Sequence, residues 1–285
     1  MDASKHFSTI RAAITTGTSA LGRASESARL DAEVLLALAV SKNRAWLYGN
    51  DDAPLSDNAA TVYQALLAER ARGVPLAHLT GTREFWSMEF AVDAHTLVPR
   101  PETELLVELA LKRMPAGQPA RVLDLGTGNG AVAIAIATER PHAELVATDI
   151  SDAALSVAKT NAERHCPGRI EFRSGDWFEV VADETFDLIV ANPPYIAADE
   201  TELTDPDLAF EPVDALYSGA DGLDAIRTIA AGAPSHLQTG GALLLEHGFA
   251  QADGVSALLA AAGFESVDNV ADLAGQPRVT IGIKP

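Results

Sequence analysis

Three groups of residues in this sequence could do chemistry together. The first is Asn192-Pro193-Pro194-Tyr195, which follows the apolar run DLIVA at 187–191. Neither proline has a backbone N–H to donate, so the pair ends a sheet ladder. Proline also pushes the residue before it towards extended conformations, which keeps Asn192 out of the helical region. The Asn192 amide oxygen and the Pro193 carbonyl then make a rigid pair of acceptors with no ionisable base between them. Such a pair suits a planar NH₂ group, whose lone pair is delocalised and whose N–H no side chain deprotonates in advance. Two acceptors grip both N–H bonds, aim the nitrogen and stabilise the positive charge developing on it. Tyr195 follows where a ring could pack over a flat group.

The second group is the loop DLGTGNG at 124–130, set between an apolar strand pattern and the helix pattern AVAIAIA. Gly126, Gly128 and Gly130 permit positive φ and close approach of a ligand to the backbone. Thr127 and Asn129 stand between them. The spacing is tighter than the G-x-G-x-x-G of dinucleotide sites. The third group is Asp149, at the end of the next strand pattern, where a carboxylate can accept from both hydroxyls of a ribose. Together they point to a nucleoside-bearing cofactor. The loop has no Walker lysine, which excludes a P-loop nucleotide. Asp124 beside it disfavours a pyrophosphate and favours a cation. S-adenosylmethionine carries a sulfonium and an ammonium and no phosphate, so it fits better than NAD. Asp176 could accept from an adenine amino group, and Trp177 could cover the base or simply fill the core.

These groups need elements to place them. From about residue 102, helix and strand patterns alternate: helix 102–114, strand 121–126, helix 131–140, strand 143–149, helix 151–165, strands 169–174 and 186–192. A helix over 222–237, a strand at 241–247, a helix over 250–262 and strands at 264–270 and 278–283 complete the series. That alternation predicts a doubly wound α/β fold with a parallel sheet covered on both faces. Ligands in such sheets sit outside the carboxyl ends of the strands, where the strand order reverses. The strand before Asn192 should run beside the strand before the glycine loop. Residues 1–73 read as helical, with Ser56 or Asp57 capping a helix that presents Val62, Leu66 and Leu67 on one face and stops at Gly73. Residues 74–101, with Pro75, Gly81, Pro99 and Pro101, read as a hairpin or proline-rich linker. The expected division is therefore 1–73, 74–101 and 102–285.

Bulk composition narrows the partners. The chain has 285 residues, 40 acidic against 21 basic, for a net charge of −19. A protein gripping a phosphate backbone needs clustered Lys and Arg, and no such cluster occurs, so no direct nucleic-acid partner is expected. Cys166 is the single cysteine, which rules out an internal disulfide and a cysteine zinc cage. No metal site is expected. The opening residues lack a signal-peptide pattern, and the apolar runs are too short to cross a bilayer, so a cytoplasmic protein is expected.

NPPY after such a strand, with DLGTGNG, resembles the S-adenosylmethionine-dependent amino methyltransferases, which include adenine-N6 and glutamine-N5 enzymes. PLAHLTGTREFW (75–86), LVPRPETE (97–104), GDWFE (175–179), FEP (210–212) and LLLEHG (243–248) narrow the likeness. Together they resemble the peptide chain release factor N5-glutamine methyltransferases, from about residue 20 onward. Asn129 stands where that family often has threonine. The resemblance implies a class I, Rossmann-like, seven-stranded methyltransferase domain behind a small helical domain. It implies methyl transfer to the glutamine N5 of the Gly-Gly-Gln tip of class I release factors, in translation termination. By the same resemblance, Gly126, Thr127, Gly128, Asn129, Gly130, Asp149, Trp177 and Asn192 bind the cofactor. Asn192 also touches the substrate, Pro193, Pro194 and Tyr195 frame the glutamine, and the N-terminal helices dock the release factor. Arg100, in VPRPE, belongs either to that pocket or to the linker. A ribosomal-protein glutamine, a nucleic-acid adenine and a binding module that only holds the cofactor remain as alternatives.

Overall fold

The computed structural model describes residues 7–198 and 206–285. Among these, residues 7–81 with 206–210 form one compact unit, and residues 82–198 with 211–285 form a second.

The first unit is helical: α1 (Ile10–Leu21), α2 (Ala28–Ala39), α3 (Arg44–Gly49), α4 (Asp57–Ala71) and α5 (Leu76–Thr80). Side chains of Thr9, Asn43 and Ser56 accept from the first-turn N–H groups of α1, α3 and α4, satisfying donors the helix leaves unpaired. Ile10, Leu21, Leu35, Leu36, Leu47 and Tyr63 fill its core. The α4 face differs from the expected one. Ala59, Tyr63, Leu67 and Arg70 are buried, while Val62 is exposed. Tyr63 decides this, because burying its ring outweighs burying a valine. Its hydroxyl donates to the Ala13 carbonyl, and Gly17 leaves room for it, since a Cβ there would lie 2.0 Å from the Tyr63 oxygen. The unit runs to Gly81, beyond residue 73, because α5 continues the same core through Leu76 and Leu79.

The second unit opens with an antiparallel hairpin, β1 (Thr82–Phe85) and β2 (Met88–Ala91). Its two-residue turn puts Trp86 and Ser87 at φ of 52° and 56°, a conformation that strains residues with a Cβ. Glu104 accepts the Trp86 N–H and Glu139 accepts its indole N–H, which offsets that strain. The hairpin that the proline-rich stretch predicted thus belongs to this unit.

After it come α6 (Glu104–Arg113), β3 (Ala120–Leu125), α7 (Ala131–Glu139), β4 (Ala143–Asp149), α8 (Asp152–His165), β5 (Ile170–Ser174) and β6 (Phe186–Ala191). Then follow α9 (Asp224–His236), β7 (Leu237–Glu246), α10 (Ala252–Ala261), β8 (Glu265–Ala271) and β9 (Pro277–Ile283). The seven-stranded sheet has the order β5-β4-β3-β6-β7-β9-β8. The first five of these strands are parallel, as the alternation predicts, and β6 lies beside β3. β9 departs from it. It runs antiparallel to both β7 and β8, because only Asp272–Gln276 joins β8 to β9 and so short a link cannot return the chain for a parallel pairing.

The parallel strands are buried on both faces. Val122 joins the core beneath α6 and α7, while Leu123 and Leu125 join the core beneath α9 and α10. Every residue of α7 from Ala131 to Ala137 is buried, which explains why its sequence shows no polar face. Among the described residues, no helix is long and apolar enough to cross a membrane.

Candidate active site

The chain crosses from one side of the sheet to the other between β5 and β6, so β3 and β6 flank the point where strand order reverses. A cavity of about 250 Å³ opens at their carboxyl ends, where this fold leaves a crevice. It is lined by the loop after β3, the ends of β4 and β5, and the Asn192-Pro193-Pro194 turn after β6.

Within the β3–α7 loop, Gly126, Thr127, Gly128 and Asn129 line the cavity. Gly126 and Gly128 have φ of 68° and 57°, and nothing lies within 4 Å of where a Gly128 Cβ would stand. The loop is held from three sides. Asp149 accepts the Gly128 N–H at 2.8 Å and the Ser151 N–H at 2.9 Å. The Thr127 hydroxyl donates to Asp124 at 2.7 Å. Asn161, buried in α8, donates to the Asn129 carbonyl at 2.9 Å while exchanging hydrogen bonds with the Ala91 backbone of the hairpin. Gly130 is different. It does not line the cavity, and its Cβ would stand 3.0 Å from Ile134 and 3.2 Å from Ala158, so its lack of a side chain serves packing of α7 on α8.

Asp176 and Trp177 also line the cavity, Trp177 with φ of 39° and its ring beside Gly126. That ring is only partly buried against the core, so it faces both ways. Asn192, half-buried, and Pro193, buried, reach the cavity together. Tyr195 does not line it. Its ring packs against the core under α9 and α10, and Gln251 donates to the Tyr195 carbonyl at 2.9 Å. Arg100 pairs at 2.8 Å with Glu211, whose side chain is fully buried, and so joins VPRPE to FEP. Pro99 and Pro212, their neighbours, line the cavity.

Electrostatically, the cavity is one-sided. Asp124, Asp149, Asp176 and Asp214 line it, and no Lys or Arg is among its described lining residues. Burial pushes Asp124 up to about 7 against the opposing hydrogen bonds of Thr127 and the Ala133 backbone, and the nearby Asp149 pushes the same way. Burial raises Asp149 too, against backbone N–H groups of Ser151, Gly128 and Ile150. Carboxylates held this way gain from a cation beside them.

The description "PrmC N-terminal domain" matches residues 12–81, and "Methyltransferase small domain" matches residues 101–207. A release factor glutamine methyltransferase of Xylella fastidiosa is 52% identical over 257 residues, 90% of this chain and 94% of the relative. The chain belongs to the release factor glutamine methyltransferases. The relative of that name in Escherichia coli is 43% identical over 91% of this chain and 94% of its own. Among solved structures, a methyltransferase from Pyrococcus furiosus matches with a TM-score of 0.52 at 20% identity, over 68% of this chain and 88% of that one. That likeness is one of fold.

The cavity suits the family's cationic, phosphate-free cofactor. Besides its aspartates, it carries two buried polar atoms that complete no hydrogen bond among the described residues, Thr96 Oγ1 and Asn129 Nδ2. Native proteins rarely leave such groups unpaired unless a ligand takes them. Thr96, Thr103 and Asn161 were absent from the sequence expectation. Thr103 and Asn161 act through tertiary neighbours, and a lone Thr or Asn carries no such signal in a sequence.

Proposed function

We propose that this protein transfers a methyl group from S-adenosylmethionine to the side-chain N5 of the glutamine in the Gly-Gly-Gln motif of class I release factors. The observation that carries the chemistry is the pairing of an acidic cavity with the Asn192–Pro193 acceptors at one sheet edge. The similarity across both the helical and the methyltransferase regions supports the release factor as substrate.

The cofactor supplies an electrophilic methyl group on a sulfonium. We assign its binding to the Gly126–Asn129 loop, Asp149, Trp177 and Asn192, with Asp124 as charge partner and Gly130 supporting the loop by packing. A primary amide is a poor nucleophile because its lone pair is shared with the carbonyl. Asn192 Oδ1 and the Pro193 carbonyl each accept one of its N–H bonds, hold the nitrogen in one orientation and draw positive charge from it as the new N–C bond forms. The surplus proton then leaves an N–H that has become acidic, so no buried general base is needed at the nitrogen. Pro194 and Tyr195 stiffen the turn that carries both acceptors, Tyr195 from the core side. The helical unit supplies the second recognition surface that a single tip glutamine cannot provide.

Purified protein and methyl-labelled cofactor, offered a release factor, its Gln→Ala tip variant, a ribosomal protein and duplex DNA in parallel, test this. Label should enter only the release factor with its tip glutamine intact. Label in the ribosomal protein or in DNA, with none in the release factor, would replace the reading.

A further inference from the structure

An amide has two ends, and only one of them serves the reaction proposed above. If Asn192 turned its NH₂ into the cavity, a donor would face the substrate's own donors. Rotating the amide by half a turn barely changes its shape, so packing alone does not choose between the two orientations. Hydrogen bonds behind the side chain must choose.

Asn192 Nδ2 donates to Thr103 Oγ1 at 3.2 Å. Thr103 is 4% exposed and sits in the turn Pro101–Thr103 that leads into α6. Its hydroxyl has one proton to give, and the direction of that proton fixes what the oxygen offers Asn192. On the next strand, β7 ends in Glu246, 1% exposed. In the parallel register Ala191 pairs with Leu245, so Asn192 and Glu246 are the next residues across from each other. Thr103 and Asn192 are the polar neighbours that, with Arg278, oppose the effect of burial on the Glu246 carboxyl. A carboxylate only accepts. In its ionised form Glu246 would take the Thr103 proton, leave the Thr103 lone pairs to the Asn192 NH₂, and draw that NH₂ inward itself.

We infer that Glu246, acting with Thr103, is a positioning residue that locks the Asn192 amide with its oxygen towards the cavity. A buried acid at the end of the apolar run at 242–245 is costly unless it is used. Its Oε2 completes no hydrogen bond among the described residues, and burial pushes the group up to about 7 in spite of Thr103, Arg278 and Asn192. The fold tolerates that cost where the ionised form of this group sets the polarity of a binding amide. This inference rests on the transferase reading for its consequence, while the orientation of Asn192 can be measured without any substrate.

Three variants separate the possibilities. Glu246→Gln puts a second NH₂ opposite that of Asn192, Thr103→Val removes the hydroxyl at constant shape, and Thr103→Ser keeps it. For Glu246→Gln and Thr103→Val, turnover with the release factor at saturating cofactor should fall about tenfold or more. Thr103→Ser should keep turnover within about threefold. The double variant Glu246→Gln with Thr103→Val should be no slower than the worse single one, since both break one relay. In the substrate-free protein, the side-chain amide protons of Asn192 should exchange with water about tenfold faster in both damaging variants than in wild type or Thr103→Ser. If Glu246→Gln fails to fold, the two Thr103 variants decide. Unchanged amide exchange, or losses that multiply in the double variant, overturns the inference. A wild-type protein that shows the locked amide but methylates no release factor overturns the functional reading instead.

Discussion

At the residue scale, the site divides into groups that face a ligand and groups that hold them. On the proposed reading Asn192 belongs to the first. Replacing it by alanine removes one of two aiming acceptors and leaves the glycine loop and its aspartates in place. Asn192→Ala should therefore lose about 100-fold or more in turnover while calorimetry finds cofactor binding within a few-fold of wild type; near-normal turnover would remove the acceptor pair from the mechanism. Asp124 gives a pH dependence of definite sign. Burial raises it to about 7, so in the free protein it is largely protonated below that pH. A cationic ligand favours the carboxylate, so binding below pH 7 must also expel a proton. Cofactor affinity should weaken by up to about tenfold per pH unit below 7 and level off above it, and Asp124→Asn should flatten that profile. An affinity that rises on acidification would contradict the charge pairing. Residues of the first kind were legible in the sequence because backbone chemistry marks them, as with proline after Asn192 or glycine at positive φ. Glu246 and Thr103 were not, because what they touch lies more than fifty residues away in the chain.

At the element scale, strand ends do the positioning. β3, β4 and β6 deliver Asp124, Asp149 and Asn192 to one edge because parallel strands all point the same way. That arrangement followed from the alternation of patterns and from the rule that ligands sit where strand order reverses. Two points escaped it. The antiparallel β8–β9 end depends on the length of a turn, and the inward ring of Tyr195 depends on core partners in other elements. Gly130 shows how a motif residue can serve the packing of an element. Gly130→Ala puts a Cβ against Ile134 and Ala158 at a φ of 85°. It should cost about 1–3 kcal/mol of stability, read as a lower unfolding midpoint in denaturant, with cofactor affinity of the folded protein little changed. An affinity loss without a stability loss would return Gly130 to the ligand contacts.

At the scale of the whole molecule, division of labour explains the sequence. On the proposed reading the larger unit carries the chemistry, in a cavity lined by four aspartates. The helical unit has its own capped helices and core. Its extent to Gly81 was blurred in the sequence because α5 is only five residues long and sits among prolines and glycines. The central claim is that a planar amide, aimed by Asn192 and Pro193, takes the methyl group. Tandem mass spectrometry of a release factor incubated with this protein and labelled S-adenosylmethionine tests it most directly. The account predicts one added methyl, on the side-chain nitrogen of the Gly-Gly-Gln glutamine. A methyl on any other atom of the release factor, or none, would contradict it.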